Sequence, residues 1–195
     1  MPAAILDGKS LAKQIRQELA EQVADFVQTT GVTPTLAAVL VGSDPASEVY
    51  VRMKRRDCKE VGMQSQLHEL GEDTSQAELL ELVEKLNSDD SVHGILVQLP
   101  LPAQIDTEAV LEAISPRKDV DAFHPESVGR LMQNRPIFLP CTPHGVVELL
   151  KRNEIPTAGK HVVVIGRSEI VGKPLSVMLV QKGVDEVNEK FARVE

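Results

Sequence analysis

Apolar residues along the chain alternate between helical spacing and short continuous runs. Apolar positions three or four apart predict an amphipathic first helix that ends at Gly31. Its apolar stripe consists of Leu11, Ile15, Leu19, Val23 and Phe26. Residues 35–41 form a short apolar run between Pro34 and Gly42, which is typical of a buried strand. The chain therefore opens with a helix followed by a strand.

The same alternation continues along the next seventy residues. Asp44 is predicted to cap a second helix, with Pro45 in its first position, where the missing proline N–H needs no partner. Residues 63–70 form a more polar run, expected to be a strand nearer a sheet edge. The later predicted elements are a helix that begins at a Ser75–Glu78 capping box, a strand over 92–99 and a short helix over 107–114. This β-α-β-α-β order predicts a mostly parallel sheet with helices on its faces.

A change of composition marks a second part of the chain. Residues 115–143 carry five prolines, which indicates a crossing between two lobes. Thr142 and Pro143 are predicted to start another helix as its cap and first residue. The run 160–166 is predicted to be a strand, followed by a glycine turn and a helix to about Gly183. A dinucleotide-binding half begins in this way, although the turn lacks G-x-G-x-x-G.

The predicted fold class is therefore α/β with two lobes. Residues 1–120 are predicted to form a three-layer domain with a mostly parallel sheet, and residues 121–195 a partial Rossmann-like domain.

Composition narrows the classes of function. The net charge of −8 and pI of about 5.2 argue against a nucleic-acid-binding surface. No apolar run approaches the roughly 20 residues that span a bilayer, and the N-terminus lacks signal-peptide regions. Cys58 and Cys141 have no metal or redox spacing, so we expect ordinary thiols, a cytoplasmic location and no metal.

The second helix carries the first candidate chemistry. At about 100° per residue, Ser47, Tyr50 and Lys54 fall within roughly 60° of one another. A hydroxyl, a phenol ring and an amine on one face can hold a flat aromatic ligand and move a proton on it. Taken alone, such a face is more often a ring at the core edge beside a solvated amine.

Several spaced motifs together resemble one family. They are SEVYVRMK at 47–54, VQLPLP at 97–102, KDVD at 118–121, PCTP at 140–143, and GRS at 166–168 with IVGKP at 170–174. In this order the chain closely resembles the bifunctional methylenetetrahydrofolate dehydrogenase/methenyltetrahydrofolate cyclohydrolases, from about Ile5 to Gly183. The resemblance implies NADP-dependent oxidation of 5,10-methylenetetrahydrofolate, followed by hydrolysis of the methenyl product to 10-formyltetrahydrofolate.

The resemblance also implies roles for individual residues. Lys54 matches the catalytic lysine, Gln98 the residue that orients it, and Tyr50 the ring that stacks on the folate. Asp121 matches the carboxylate that binds the donor-rich edge of the pterin. The implied folate-binding set is Ser47, Tyr50, Val51, Lys54, Val97, Gln98, Leu99 and Asp121. The implied NADP-binding set is Gly166, Arg167, Ser168 and Gly172, with Arg167 suited to a 2′-phosphate. Outside the resemblance, Gly166 and Gly172 are equally explained by tight turning and close packing.

The chain departs from the family pattern at two places. Ala122 stands where a glycine usually follows the second aspartate. Residues Val184–Glu195 do not resemble the strand expected after Gly183, and we expect an internal deletion followed by early termination. The cofactor lobe is then incomplete. The implied partners are tetrahydrofolate derivatives and, if that lobe is complete, a second copy in a homodimer. Two alternatives stay open: a cyclohydrolase alone, or a non-catalytic fragment that binds folate or pairs with a full-length subunit.

Overall fold

The computed structural model describes residues 3–181, and the tail Val184–Glu195 lies outside them. The chain divides into two compact units. One unit is Lys9–Val120, and the other is formed by the residues from Asp121 onward together with those before Lys9.

Helices and strands alternate through the first unit, as the pattern predicts. Its elements are α1 (Gly8–Thr30), β1 (Thr35–Val41), α2 (Pro45–Glu60), β2 (Gln64–Leu70), α3 (Gln76–Ser88), β3 (Gly94–Val97) and α4 (Thr107–Ala113). The three strands are parallel in the order β2-β1-β3, with Val39 opposite both His68 and Val97. The predicted edge position of the more polar strand, β2, is confirmed.

The central strand β1 has a core on each of its faces. Ala37, Val39 and Val41 pack with apolar residues of α3 and α4. Ala38 and Leu40 pack on the opposite face, against Val51 of α2. Helices on both faces of a parallel sheet give the three-layer arrangement and explain why β1 is a continuous apolar run.

The first helix packs more loosely than its apolar stripe suggests. α1 ends at Gly31, which has φ +72°, so the predicted end is confirmed. None of its residues is fully buried, and Leu19 and Phe26 are 41% and 47% exposed.

Two helix starts form as the sequence predicts. Asp44 caps α2 by accepting the Ser47 N–H at 2.8 Å, with Pro45 in the first turn. At α3, the Ser75 hydroxyl accepts the Glu78 N–H, and the Glu78 carboxylate accepts the Ser75 N–H at 2.8 Å.

This capping box predicts a pH-dependent contribution to stability. Hydrogen bonds from the Ser75 hydroxyl and N–H lower the pKa of the Glu78 carboxyl. A carboxyl with a lowered pKa stabilises the fold above its unfolded-state pKa, and this stabilisation is lost as pH falls through the folded value. Thermal melts of Ser75→Ala should show a melting temperature roughly 2–4 °C lower at neutral pH, with a smaller difference in acid. An equal difference at both pH values would contradict the role given to Glu78.

The second unit is helical in the described residues. Its helices are α5 (Pro125–Met132), α6 (Cys141–Arg152) and α7 (Gly172–Val180). They share a small core of Leu131, Val147 and Met178. The sequence did not predict α5, because it lies within the proline-rich run 115–143 that indicated a crossing between lobes. Its start has a recognisable cause, since Pro125 occupies the first turn and the His124 ring accepts the Glu126 N–H at 3.0 Å.

Two predictions for the second unit are wrong. α6 begins at Cys141 after Pro140, so Thr142 lies inside the first turn and does not cap it. The run 160–166 forms no strand, and Val163 and Ile165 are 72% and 98% exposed. A strand needs a neighbour to receive its N–H and C=O groups, and the described residues of this unit contain none. The fold class remains α/β, with the parallel sheet in the first unit.

Candidate active site

Lys54 and Gln98 meet at the carboxyl-terminal edge of the sheet. α2 follows β1 and carries Lys54, while Gln98 comes directly after β3, the neighbour of β1. The Gln98 N–H donates to Val39 O at 2.9 Å, which holds Gln98 in line with the sheet. Lys54 Nζ donates to Gln98 Oε1 at 3.3 Å. The structure therefore joins two predicted catalytic residues that lie 44 positions apart.

A shared carbonyl fixes the orientation of the Gln98 amide. Gln98 Nε2 donates to Leu99 O at 2.7 Å, so the amide oxygen faces Lys54. The Ser47 hydroxyl donates to the same carbonyl at 3.4 Å. Ser47 itself is only 3% exposed, at the start of α2. The Lys54 amine is therefore held at a defined acceptor, as a proton-transferring group requires.

Tyr50 presents an open ring on the same helix. Its side chain lies one turn before Lys54 and is 59% exposed. An exposed aromatic face can take a flat ligand by stacking. Val51 and Val97, also in the predicted folate-binding set, are buried in the two cores of the sheet. Both residues lie in the fold behind the site, with exposures of only 2% and 3%.

Asp121, the last predicted folate-binding residue, lies in the second unit. Its carboxylate accepts a weak hydrogen bond from the Cys141 thiol at 3.9 Å. This contact could not be predicted from the sequence, because Cys141 lies 20 positions from Asp121 and has no spacing that indicates a partner. Ala122 follows with φ +57°, a left-handed conformation that favours glycine. This conformation explains why the family pattern has a glycine at position 122.

The predicted cofactor residues form a tight turn over the start of α7. The Ser168 hydroxyl accepts the N–H groups of Val171 and Gly172, each at 3.2 Å. A side-chain Cβ on Gly172 would lie 2.4 Å from Gly166 O, so only glycine allows the turn to approach the helix this closely. Gly166 has φ +151°, again in the region that favours glycine.

This turn fits an anionic group. Within the described residues, the N–H groups of Gly166 and Arg167 donate to no acceptor, and the Arg167 side chain is exposed. Free backbone N–H groups before a helix bind phosphate well, and a guanidinium can add a paired contact.

Three other features concern the Cys58 thiol, metal binding and membrane-spanning helices. Burial raises the pKa of the Cys58 thiol, so this cysteine is a poor nucleophile. Residues 3–181 contain no cluster of three potential metal ligands. Within the same range, no helix combines the length and apolar character needed to cross a bilayer.

Comparison with known proteins gives consistent matches over both units. Residues 6–121 match the model of the tetrahydrofolate dehydrogenase/cyclohydrolase catalytic domain. Residues 140–190 match the model of the NAD(P)-binding domain of the same family.

Individual relatives extend over most of this chain. The bifunctional protein FolD of Geotalea uraniireducens is 58% identical over 180 residues, which cover 92% of this chain and 64% of that protein. A 5,10-methylenetetrahydrofolate dehydrogenase structure from the silkworm Bombyx mori has a TM-score of 0.90 at 45% identity, covering 91% of this chain and 61% of that one. The Trypanosoma brucei enzyme, solved with NADP cofactor and inhibitor, has a TM-score of 0.88 at 39% identity, with coverages of 92% and 62%. The chain thus spans less than two thirds of the length of these relatives.

Proposed function

Because the chain belongs to the tetrahydrofolate dehydrogenase/cyclohydrolase family, we propose that it acts on 5,10-methylenetetrahydrofolate in one-carbon metabolism. NADP-dependent oxidation gives 5,10-methenyltetrahydrofolate, and hydrolysis of this cation gives 10-formyltetrahydrofolate. The observation that carries the proposal is the hydrogen bond between Lys54 and Gln98 beside the open Tyr50 ring.

The hydrolytic step uses the Lys54 amine for proton transfer. Water adds to the methenyl carbon between N5 and N10 and loses one proton, which leaves a hydroxyl on that carbon. The hydroxyl then loses its proton and becomes the formyl C=O as the bond from that carbon to N5 breaks. N5 keeps the electron pair of that bond and gains one proton, the formyl group stays on N10, and one proton is released overall. Lys54 Nζ accepts and returns these protons, while Gln98 holds the amine in place. Tyr50 supports the flat ligand, and Asp121 is assigned to the pterin edge by the resemblance alone.

The oxidative step places NADP at the turn before α7. NADP accepts the hydride when bound. Gly166 and Arg167 would hold a phosphate through their free N–H groups, and the Arg167 side chain would pair with the 2′-phosphate. Gly172 keeps this turn close to the helix.

A cyclohydrolase without dehydrogenase activity is the second candidate. Lys54, Gln98 and Ser47 all lie within the Lys9–Val120 unit, so their hydrogen bonds do not depend on the second unit. The run 160–166, in contrast, lacks the strand on which a complete dinucleotide site would be built.

The setting and assembly form a separate part of the proposal. A cytoplasmic enzyme agrees with the acidic charge and with Cys58 and Cys141 as thiols, which a reducing compartment keeps reduced. A homodimer through the cofactor lobe is implied by the family resemblance.

Ultraviolet absorbance of the methenyl product distinguishes these possibilities. With NADP and 5,10-methylenetetrahydrofolate, growth of the methenyl band supports the bifunctional enzyme. If only added methenyltetrahydrofolate disappears faster than in buffer, the protein is a cyclohydrolase alone. A folded sample with neither signal would overturn the enzymatic proposal and favour a non-catalytic fragment.

A further inference from the structure

A short stretch of chain runs beside β3 just before Asp121. The Ile95 N–H donates to Lys118 O at 2.7 Å, and Ile95 forms a parallel bridge with Asp119. β3 pairs with β1 along its other edge, so residues 118–120 add one short stretch to the sheet. These three residues are called here the 118–120 segment. Asp121 is the next residue, so the segment fixes where its backbone begins.

The Lys118 side chain ties the 118–120 segment to the end of α3. Lys118 Nζ donates to Leu86 O at 3.0 Å and to Asp89 O at 2.7 Å. Carbonyl groups at the end of a helix lack a partner within that helix, and a lysine side chain can supply one. Both the backbone and the side chain of Lys118 therefore hold the segment in place.

Gly94, the first residue of β3, leaves the space that the Val120 side chain occupies. Gly94 is buried, and a Cβ there would lie 2.5 Å from Val120 Cγ1 and 3.5 Å from Leu36 Cδ1. Val120 packs against the core that contains Leu96, and a β-branched side chain has few alternative rotamers. A methyl group at position 94 would therefore displace Val120 together with the backbone that leads to Asp121.

We propose that Gly94 and Lys118 are positioning residues for the Asp121 carboxylate, an inference that rests on the proposed function. Lys118 acts through its hydrogen bonds, and Gly94 acts through the space that it leaves for Val120. A carboxylate that accepts paired hydrogen bonds from the edge of a flat ring needs both oxygens aligned with that edge. Small shifts of the backbone before Asp121 should therefore weaken folate binding, although neither positioning residue contacts the ligand.

Calorimetric binding of 5-formyltetrahydrofolate to Gly94→Ala tests the inference. Affinity should fall roughly tenfold, because a misplaced carboxylate loses a hydrogen bond in which one partner is charged. In the hydrolysis of methenyltetrahydrofolate, most of the loss should appear in KM and little in kcat. The double variant Gly94→Ala/Val120→Ala should recover the affinity, since it removes the Cγ1 atom that the new methyl group would meet at 2.5 Å.

A double-mutant cycle separates an effect through Asp121 from a general structural effect. Asp121→Asn keeps the size of the side chain but replaces one acceptor oxygen with a donor. Adding Gly94→Ala to Asp121→Asn should weaken binding no further, because the two changes act on the same interaction. Losses that simply add would show that Gly94 affects binding by another route and would overturn the inference.

Lys118→Met tests the same segment if Gly94→Ala does not fold. Methionine removes the hydrogen bonds to the end of α3 and keeps most of the side-chain length. Folate affinity should fall about threefold, as expected for a smaller displacement of one hydrogen bond. Lys85→Met, the same change at an exposed lysine in the last turn of α3, should leave affinity unchanged.

Further results would contradict the inference at different levels. Unchanged affinity in folded Gly94→Ala or in Lys118→Met would show that the segment does not position the carboxylate. If Asp121→Asn binds the folate as tightly as the unaltered protein, Asp121 is not a ligand-binding residue, while the site at Tyr50 and Lys54 stands. If the unaltered protein does not bind 5-formyltetrahydrofolate, the proposed folate site fails, and the positioning role fails with it.

Discussion

Lys54→Met is expected to remove the hydrolysis of methenyltetrahydrofolate. Methionine keeps most of the length and apolar body of lysine but cannot accept or donate a proton. General acid–base catalysis contributes roughly 10²–10⁴-fold to a rate, so the loss should be at least about 100-fold. The rate of hydrolysis is measured as the decay of methenyl absorbance, compared with the uncatalysed rate.

Lys85→Met is the matched control for this variant. Lys85 lies in the last turn of α3, is exposed, and takes the same chemical change on a helix outside the candidate site. Its hydrolytic rate should equal that of the unaltered protein. Full hydrolysis by a folded Lys54→Met protein would show that another group moves the protons.

Gly172→Ala is expected to weaken NADP binding strongly while sparing hydrolysis. The added Cβ would meet the carbonyl carbon and oxygen of Gly166 at 2.6 and 2.4 Å and the Arg167 N at 2.9 Å. These are backbone atoms, so the turn itself must shift. Misplacement of a binding group by about 1 Å can cost on the order of 100-fold, and the NADP dissociation constant should rise accordingly.

Gly145→Ala separates this effect from a general response to a methyl group. A Cβ at Gly145 meets nothing within 4 Å, and the residue lies inside α6. Alanine there should leave NADP binding intact and stabilise the helix by up to about 1 kcal/mol. Unchanged NADP affinity in Gly172→Ala would mean that the turn before α7 does not hold the cofactor.

Local signals predicted the elements of the first unit well. Asp44 with Pro45, and Ser75 with Glu78, act within one turn of a helix, so their hydrogen bonds can be read from a few adjacent residues. The apolar run of β1 likewise follows directly from burial on both faces of a parallel sheet. His124 caps α5, but histidine is not one of the usual helix-capping residues, so this cap was not predicted.

Longer-range features were less accessible from the sequence. The contact between Lys54 and Gln98 depends on two neighbouring strands, and only the family resemblance joined the two residues in advance. The run 160–166 has the composition of a strand, yet composition does not supply a pairing neighbour. The contact between Cys141 and Asp121 depends on where α6 begins. The sequence predicted a start after Thr142, whereas the helix begins at Cys141.

A crystal structure of this chain with 5-formyltetrahydrofolate bound would show whether Tyr50 and Lys54 form the folate site. We expect the aromatic ring of the ligand to lie against Tyr50, with its N5–N10 region within hydrogen-bonding reach of Lys54 Nζ, which still contacts Gln98. A folate bound at another surface, with the Lys54–Gln98 pair left to solvent, would contradict it.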